Sequence, residues 1–138
     1  MKSFLSPLFR ADARRYVLEN TRNGEIVADD ILPAFDSTTR NKGLLGRNAL
    51  DSRSAMIIAP CSAVHTFFMR FAIDLVFVAR DGRVIKVRTA VAPWRLAAAF
   101  GAFAVIELAA GALGRSHTVR GDLLSLKGVD TNSQFTAT

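Results

Sequence analysis

The chain has few side chains able to do chemistry, and three groups of them stand out by type and spacing. Cys61 and His65 lie four residues apart. A thiol near an imidazole can be a nucleophile with its base, or half of a metal site. On an extended strand the two share a face with Ala63, Phe67 and Met69. They would then be about 13 Å apart, too far for one ion unless the chain bends at Cys61. Zinc needs at least a third protein ligand, and neither Cys-x-x-Cys nor His-Glu-x-x-His spacing occurs. No metal site is expected. The plainer alternative is a buried cysteine and a hydrogen-bonded structural histidine, since cysteine is often buried without a chemical task.

Asp74 sits within the apolar run Ile73–Val78. An ionised carboxylate is costly there unless it is paired or hydrogen-bonded. It must cap a loop, pair with an arginine or histidine, or act on a ligand. Arg70-Phe71-Ala72 is short enough to fold two strands back and set His65 against Asp74. The carboxylate would then fix the imidazole tautomer and raise its pKa. Arg40, Gly43 and Arg47 fall at i, i+3 and i+7, one side of a predicted helix. Two guanidinium groups flanking a surface without side chains suit a carboxylate or phosphate. Alternatively, Gly43 and Gly46 only let the helix approach a sheet, with both arginines solvated. A phosphate-binding loop and a serine nucleophile elbow are both missing from the sequence.

The elements that must position these residues are short. Tyr16–Glu19 and Ile26–Ala28 flank Asn23-Gly24, a two-residue turn signal, with Arg22 facing Glu25. Asp36-Ser37-Thr38-Thr39 offers N-caps for a short helix through Arg40–Arg47, weakened at Gly43 and stopped near Gly46. Strands are predicted at Ala55–Ala59, ended by Pro60, and at Val64–Met69. The clearest hairpin joins Ile73–Ala79 to Arg83–Thr89 through Asp81-Gly82. Its register pairs Val78 with Ile85, Val76 with Val87 and Asp74 with Thr89. One face carries Val76, Val78, Ile85 and Val87; the other, with Leu75, Phe77, Lys86 and Arg88, is expected to be partly wet. Pro93-Trp94-Arg95 opens a loop, and the alanine-rich stretch after it is a loop or short helix. Ala104–Leu108 and Asp122–Leu126 are the last predicted strands, with a turn at Ala110–Gly114. Together these give an α+β fold, mostly β: a barrel-like or sandwich-like sheet of about eight short strands with one or two short helices. Residues 1–15 read as an extension, 16–128 as one domain and 129–138 as a flexible tail.

Composition agrees with a single domain. At 138 residues there is room for one core, and half the residues are hydrophobic, which excludes global disorder. The 18 Lys and Arg exceed the 12 Asp and Glu, for a net charge of +6. Such an excess favours acidic partners: nucleic acid, anionic lipid or acidic proteins. The cations are scattered rather than clustered, so a nucleic-acid partner is not expected. The single Cys61 excludes an intrachain disulfide and fits a reducing compartment. Near the N-terminus, Pro7 and Arg10 cut the apolar stretch short of a secretory segment. Leu96–Ile106 is uncharged but about half the ~20 residues of a spanning helix. A cytoplasmic location and no membrane span are expected.

These motifs, taken in order, resemble a known family. Arg40-x-x-Gly43-Leu44-Leu45-Gly46-Arg47, then Ala55–Ile58, then Val64–Phe77 with His65, Met69 and Asp74, resemble the bacterial and archaeal domain of unknown function 192. Pro93-Trp94-Arg95, Ile106–Gly111 with Glu107, and Arg120-Gly121-Asp122 are similar to its closing segments. The resemblance runs from about Thr38 to Leu126. It implies a small β-rich domain, and it brings neither an activity nor a cofactor. The chain departs from the family pattern at Leu45, Ala55, Phe68 and Ala72. Phe68 in place of glycine is expected to fill space and make any family pocket smaller.

The leading functional expectation is a binding or accessory module. Arg40, Arg47, His65 and Asp74 would line one groove holding a small anionic or polar ligand, or a partner peptide, without a cofactor. One alternative is a hydrolase using His65 with Asp74 or Cys61, its nucleophile and base in contact. Another is a purely structural or interaction protein, with the same residues tied into an internal ion-pair network.

Overall fold

The structure is a computed structural model that describes residues 2–10 and 14–129. The tail beyond residue 129 lies outside the described residues. After a one-turn 3-10 helix (Ser6–Phe9) come β1 (Arg15–Asn20), β2 (Ile26–Ala28), β3 (Asp30–Ala34) and α1 (Ser37–Lys42). There follow β4 (Ser54–Ile58), β5 (Ala63–His65), β6 (Ile73–Val78), β7 (Val84–Val91) and β8 (Leu96–Ala98). The described chain closes with β9 (Ala104–Ala109), α2 (Ala112–Ser116) and β10 (Leu124–Val129).

The strands form three sheets, of order β10-β1-β2, β3-β4-β9-β6-β7 and β5-β8. Among the described strands only β3 and β4 pair in parallel. The arrangement is sandwich-like, the second of the two forms expected. The five-stranded sheet is the middle layer. Its central strands β4, β6 and β9 are buried almost throughout, as near-continuous apolar runs become when both faces are covered. On one face Val76, Val78, Ile57, Ile106 and Leu108 meet Leu18, Val27, Leu124 and Leu126 of the three-stranded sheet. On the other, Ile73, Leu75, Phe77, Met56 and Val105 meet Leu44, Met69 and Ala97. Phe4 and Leu5, read from sequence as part of an extension, are buried in the first of these cores.

This double covering corrects the expected wet face: Leu75 and Phe77 are fully buried. It also shifts the β6–β7 hairpin. Val76 pairs with Val87 as expected, but Val78 pairs with Val84 and Ile73 with Val91, with irregularities at Phe77/Val78 and Ile73/Leu75. A bulge admits an extra residue and reverses the faces beyond it. Ile85 therefore packs in the second core, not with Val76 and Val78. The hairpin tip is clamped to β10: Gly82 O accepts from Leu124 N (2.9 Å), and a Cβ at Gly82 would overlap the Leu124 carbonyl oxygen. The first hairpin has a wider turn than two residues, closed by Asn20 N–H to Glu25 O (2.9 Å). The predicted strand Val64–Met69 stops at His65, and the alanine-rich stretch supplies β8.

Two buried acids hold loops in place. Asp74 accepts backbone N–H groups from Ala90 (2.8 Å), Gly111 (3.1 Å) and Leu113 (3.0 Å). It ties the end of β7 and the start of α2 to β6. Asp122 accepts from Asn20 Nδ2 (2.8 Å), Val119 N (2.9 Å) and Arg22 Nε (2.6 Å). The Arg22 guanidinium holds its carboxyl down to about 2. Arg22 thus faces Asp122 and not Glu25.

Replacing Asp74 by alanine leaves three N–H groups without their acceptor, two partly buried and the Leu113 one fully buried. We expect Asp74→Ala to lower stability by about 3 kcal/mol, roughly 10 °C in melting temperature for a domain of this size. Thermal unfolding checks this, and an unchanged midpoint would contradict the assigned role.

Candidate functional site

A third buried acid has no such arrangement. Glu107 lies in β9 opposite Met56 of β4 and Leu75 of β6, on the face of the second core. It is 3% exposed, and its Oε1 has no hydrogen-bond partner. With no partner to offset desolvation, burial pushes its carboxyl from the ordinary 4.5 up to about 7. The carboxyl faces a cavity of about 230 Å³, whose lining includes Arg40, Lys42, Gly43, Cys61 and His65.

The cavity exists because α1 stops early. Asp36 caps the helix by accepting Thr39 N–H (2.8 Å), as its position among capping residues suggested. The helix then ends at Gly43, whose φ of 49° and ψ of −126° suit a residue without a side chain. A Cβ at Gly43 would stand 3.6 Å from Glu107 Oε1. A side chain at this position would pack directly against the carboxyl in the cavity wall. Arg40, half-buried at the rim, donates from Nη1 to Phe35 O (3.2 Å) and makes no ion pair with Glu107. Leu44 and Met69 pack beneath this wall in the core.

The opposite wall is the turn into β5. Cys61 Sγ donates to Ala63 O (3.1 Å), and burial pushes the thiol pKa up. His65 Nδ1 accepts the Phe67 N–H (3.3 Å), and its ring stacks on Phe67 with centroids 5.0 Å apart. Thiol and imidazole are each engaged with local partners and not with each other. A nucleophile–base pair would need that contact and a thiol poised to ionise.

The structure therefore brings together Arg40 and His65, with Cys61 beside them, but not the full expected set. Arg47 follows the end of the helix rather than lying on its face, and it lines a neighbouring cleft with Leu32, Pro33 and Met56. Asp74 belongs to the opposite face of the middle sheet, among the residues of the first core, and its carboxylate is already engaged. Phe68 does not fill the cavity: it is turned out to solvent. Glu107 is the residue that site reasoning missed. Its signal was a lone acid inside the apolar run Ala104–Leu108, named from the sequence only as part of the Ile106–Gly111 segment of the family resemblance and not as a site residue. No group of His, Cys, Asp and Glu able to hold a metal occurs among the described residues.

A three-sheet α+β sandwich with a buried acid under a glycine-ended helix defines the class of domain. The chain belongs to the DUF192 family ("Uncharacterized ACR"), whose model matches residues 15–126. Two solved structures share the fold, each with a TM-score of 0.70 and 22% sequence identity over 83% of this chain. One, a protein of Sinorhizobium meliloti 1021 described as a candidate transcription regulator, is matched over 92% of its length. The other, a protein of unknown function from Novosphingobium aromaticivorans DSM 12444, is matched over 94%. At that identity the likeness is one of fold. No curated protein matches the chain.

The raised carboxyl has a stability consequence. The folded state holds the Glu107 proton up to about pH 7, whereas the unfolded chain releases it near 4.5. The folded state binds more protons in that window, so the stability Glu107 contributes is complete below 4.5 and is lost as pH rises through 7. Denaturant unfolding at several pH values should show wild type losing on the order of 3 kcal/mol more than Glu107→Gln across this window. Parallel pH profiles for the two proteins would contradict it.

Proposed function

We propose that this DUF192 domain binds a small polar ligand in the cavity over β9. The ligand donates a hydrogen bond, from a hydroxyl or an ammonium group, to the Glu107 carboxyl, and presents an acceptor or anionic group to Arg40 at the rim. The observation that carries this is the buried carboxyl of Glu107 in the cavity wall, whose Oε1 has no hydrogen-bond partner. Burying such an acceptor without a partner is costly, and a bound donor is the partner the protein itself does not supply. The volume of about 230 Å³ suits a molecule of monosaccharide or amino-acid size, since drug-sized ligands occupy larger clefts. His65, exposed at the mouth, adds an aromatic edge to the site.

The hydrolase alternative has less support. Asp74 is committed to three backbone N–H groups, and Cys61 carries a raised pKa and no basic partner. A purely structural role accounts for Asp74 and Asp122, but it leaves Glu107 without an explanation.

The test is a thermal-shift panel of monosaccharides, polyols, amino acids and small amines. A ligand at a hundred times its dissociation constant adds about 2.7 kcal/mol, a shift of several degrees. Its affinity should fall about tenfold or more in Glu107→Gln and in Arg40→Ala, the cost of losing a charge-assisted hydrogen bond. Affinity should also rise with pH through about 7, because the ligand competes with the proton on Glu107. A hit that keeps its affinity in Glu107→Gln, or a panel without a hit, would contradict the proposal.

A further inference from the structure

The loops beside the cavity carry a second, independent feature. His65 stacks on Phe67, Phe67 on Trp94 (5.8 Å between centroids), and Trp94 meets Phe68 at 4.6 Å. Leu96 extends this row, because it pairs with His65 across the β5–β8 ladder. Phe68, Trp94 and Leu96 are 71%, 55% and 70% exposed. The other side of the same two strands, Val64 and Ala97, packs into the second core. The row is therefore the outer face of a small sheet that nothing among the described residues covers.

Its conformation is built rather than loose. Phe68 and Trp94 have φ of 65° and 68°, in a region that bulky side chains rarely adopt. Thr66, fully buried between the two loops, holds both. Its carbonyl accepts Trp94 N–H (2.9 Å) and Met69 N–H (3.2 Å). Its hydroxyl accepts Arg95 N–H (2.8 Å) and donates to Ala92 O (2.7 Å). One buried side chain thus sets two unusual backbone turns, and both turns present aromatic rings to solvent.

The charge around the row decides what covers it. Residues 61–73 and 89–106 contain Arg70 and Arg95 and no acidic residue. Between Ser52 and Gly121 the only acids are Asp74, Asp81 and Glu107, and Asp74 and Glu107 are buried. Tryptophan, phenylalanine and leucine flanked by arginines, in a stretch whose one exposed acid is Asp81 at the tip of the β6–β7 hairpin, match the boundary between acyl chains and anionic headgroups. We propose that this aromatic face docks the domain on an anionic lipid surface, with Phe68, Trp94 and Leu96 entering the headgroup layer and Arg70 and Arg95 facing the phosphates. Docking needs no spanning segment, and no helix among the described residues is long and apolar enough to be one.

Trp94 is the chain's single tryptophan, so its fluorescence reports directly on this face. Purified full-length protein is sedimented with vesicles of phosphatidylcholine alone and with vesicles that also contain phosphatidylglycerol. We expect co-sedimentation with the anionic vesicles, a blue shift of the Trp94 emission on binding, and weaker binding at high salt. Phe68→Gly removes one inserting ring and should weaken binding about tenfold. Glycine accepts the positive φ at that position, so the melting temperature should hold or rise, which separates lost docking from lost folding. No sedimentation with anionic vesicles would overturn the proposal, as would binding with unshifted emission or binding indifferent to Phe68→Gly. If a second copy covers the face instead, the lipid-free protein is a dimer that Phe68→Gly converts to monomer, and the vesicles capture neither form.

Discussion

Burying carboxyl groups inside a sheet covered on both faces is the constraint on which the rest of this structure depends. The middle sheet has no wet side in its central strands, so an acid placed there has lost its water. Asp74 meets the constraint with three backbone N–H groups, and in doing so fixes the loop after β9 and the end of β7. Asp122, outside the sheet, meets it with Arg22, Asn20 and a backbone N–H. Glu107 meets it with no protein group, and its proton is held to about pH 7 instead. Each of the other two acids completes a piece of architecture. The incomplete one stands where α1 breaks off and a cavity opens.

That contrast sorts the residues on which the resemblance to the family rests. Gly43 ends the helix and keeps a side chain off the Glu107 carboxyl. Gly111, with φ of 99°, starts the turn whose N–H groups reach Asp74. Met69 is a core residue beneath the cavity wall. His65 is shared: it lines the cavity and begins the aromatic row. The cavity and the exposed aromatic face are therefore neighbours, joined through β5 and its partner β8.

Where the pattern was local, the sequence was legible. The Asp81-Gly82 hairpin, the Asp36 cap and the strand at Ala104–Leu108 all follow from turn chemistry, capping and apolar runs. Asp74 was correctly singled out as a costly buried acid that had to cap, pair or bind. Its partners could not be read, because they are backbone groups of residues 90, 111 and 113 brought in by the fold. The pairing of His65 with Asp74 failed because β5 leaves the middle sheet to pair with β8, which a short connecting loop does not reveal. The shared helical face of Arg40 and Arg47 failed at Gly43, where the helix ends one turn earlier than its capping signals alone implied. Glu107 was visible as an acid in an apolar strand, but only the cavity above it separates a binding group from a second loop anchor.

The most direct test is to follow the side-chain carboxyl carbon of Glu107 by carbon-detected NMR across a pH titration. An unpartnered carboxyl facing the cavity titrates near 7, and does so equally in Arg40→Ala, since no ion pair holds it. A titration near the ordinary 4.5, or one that moves when Arg40 is removed, would mean that the protein already supplies a partner. The case for a ligand at this position would then be lost.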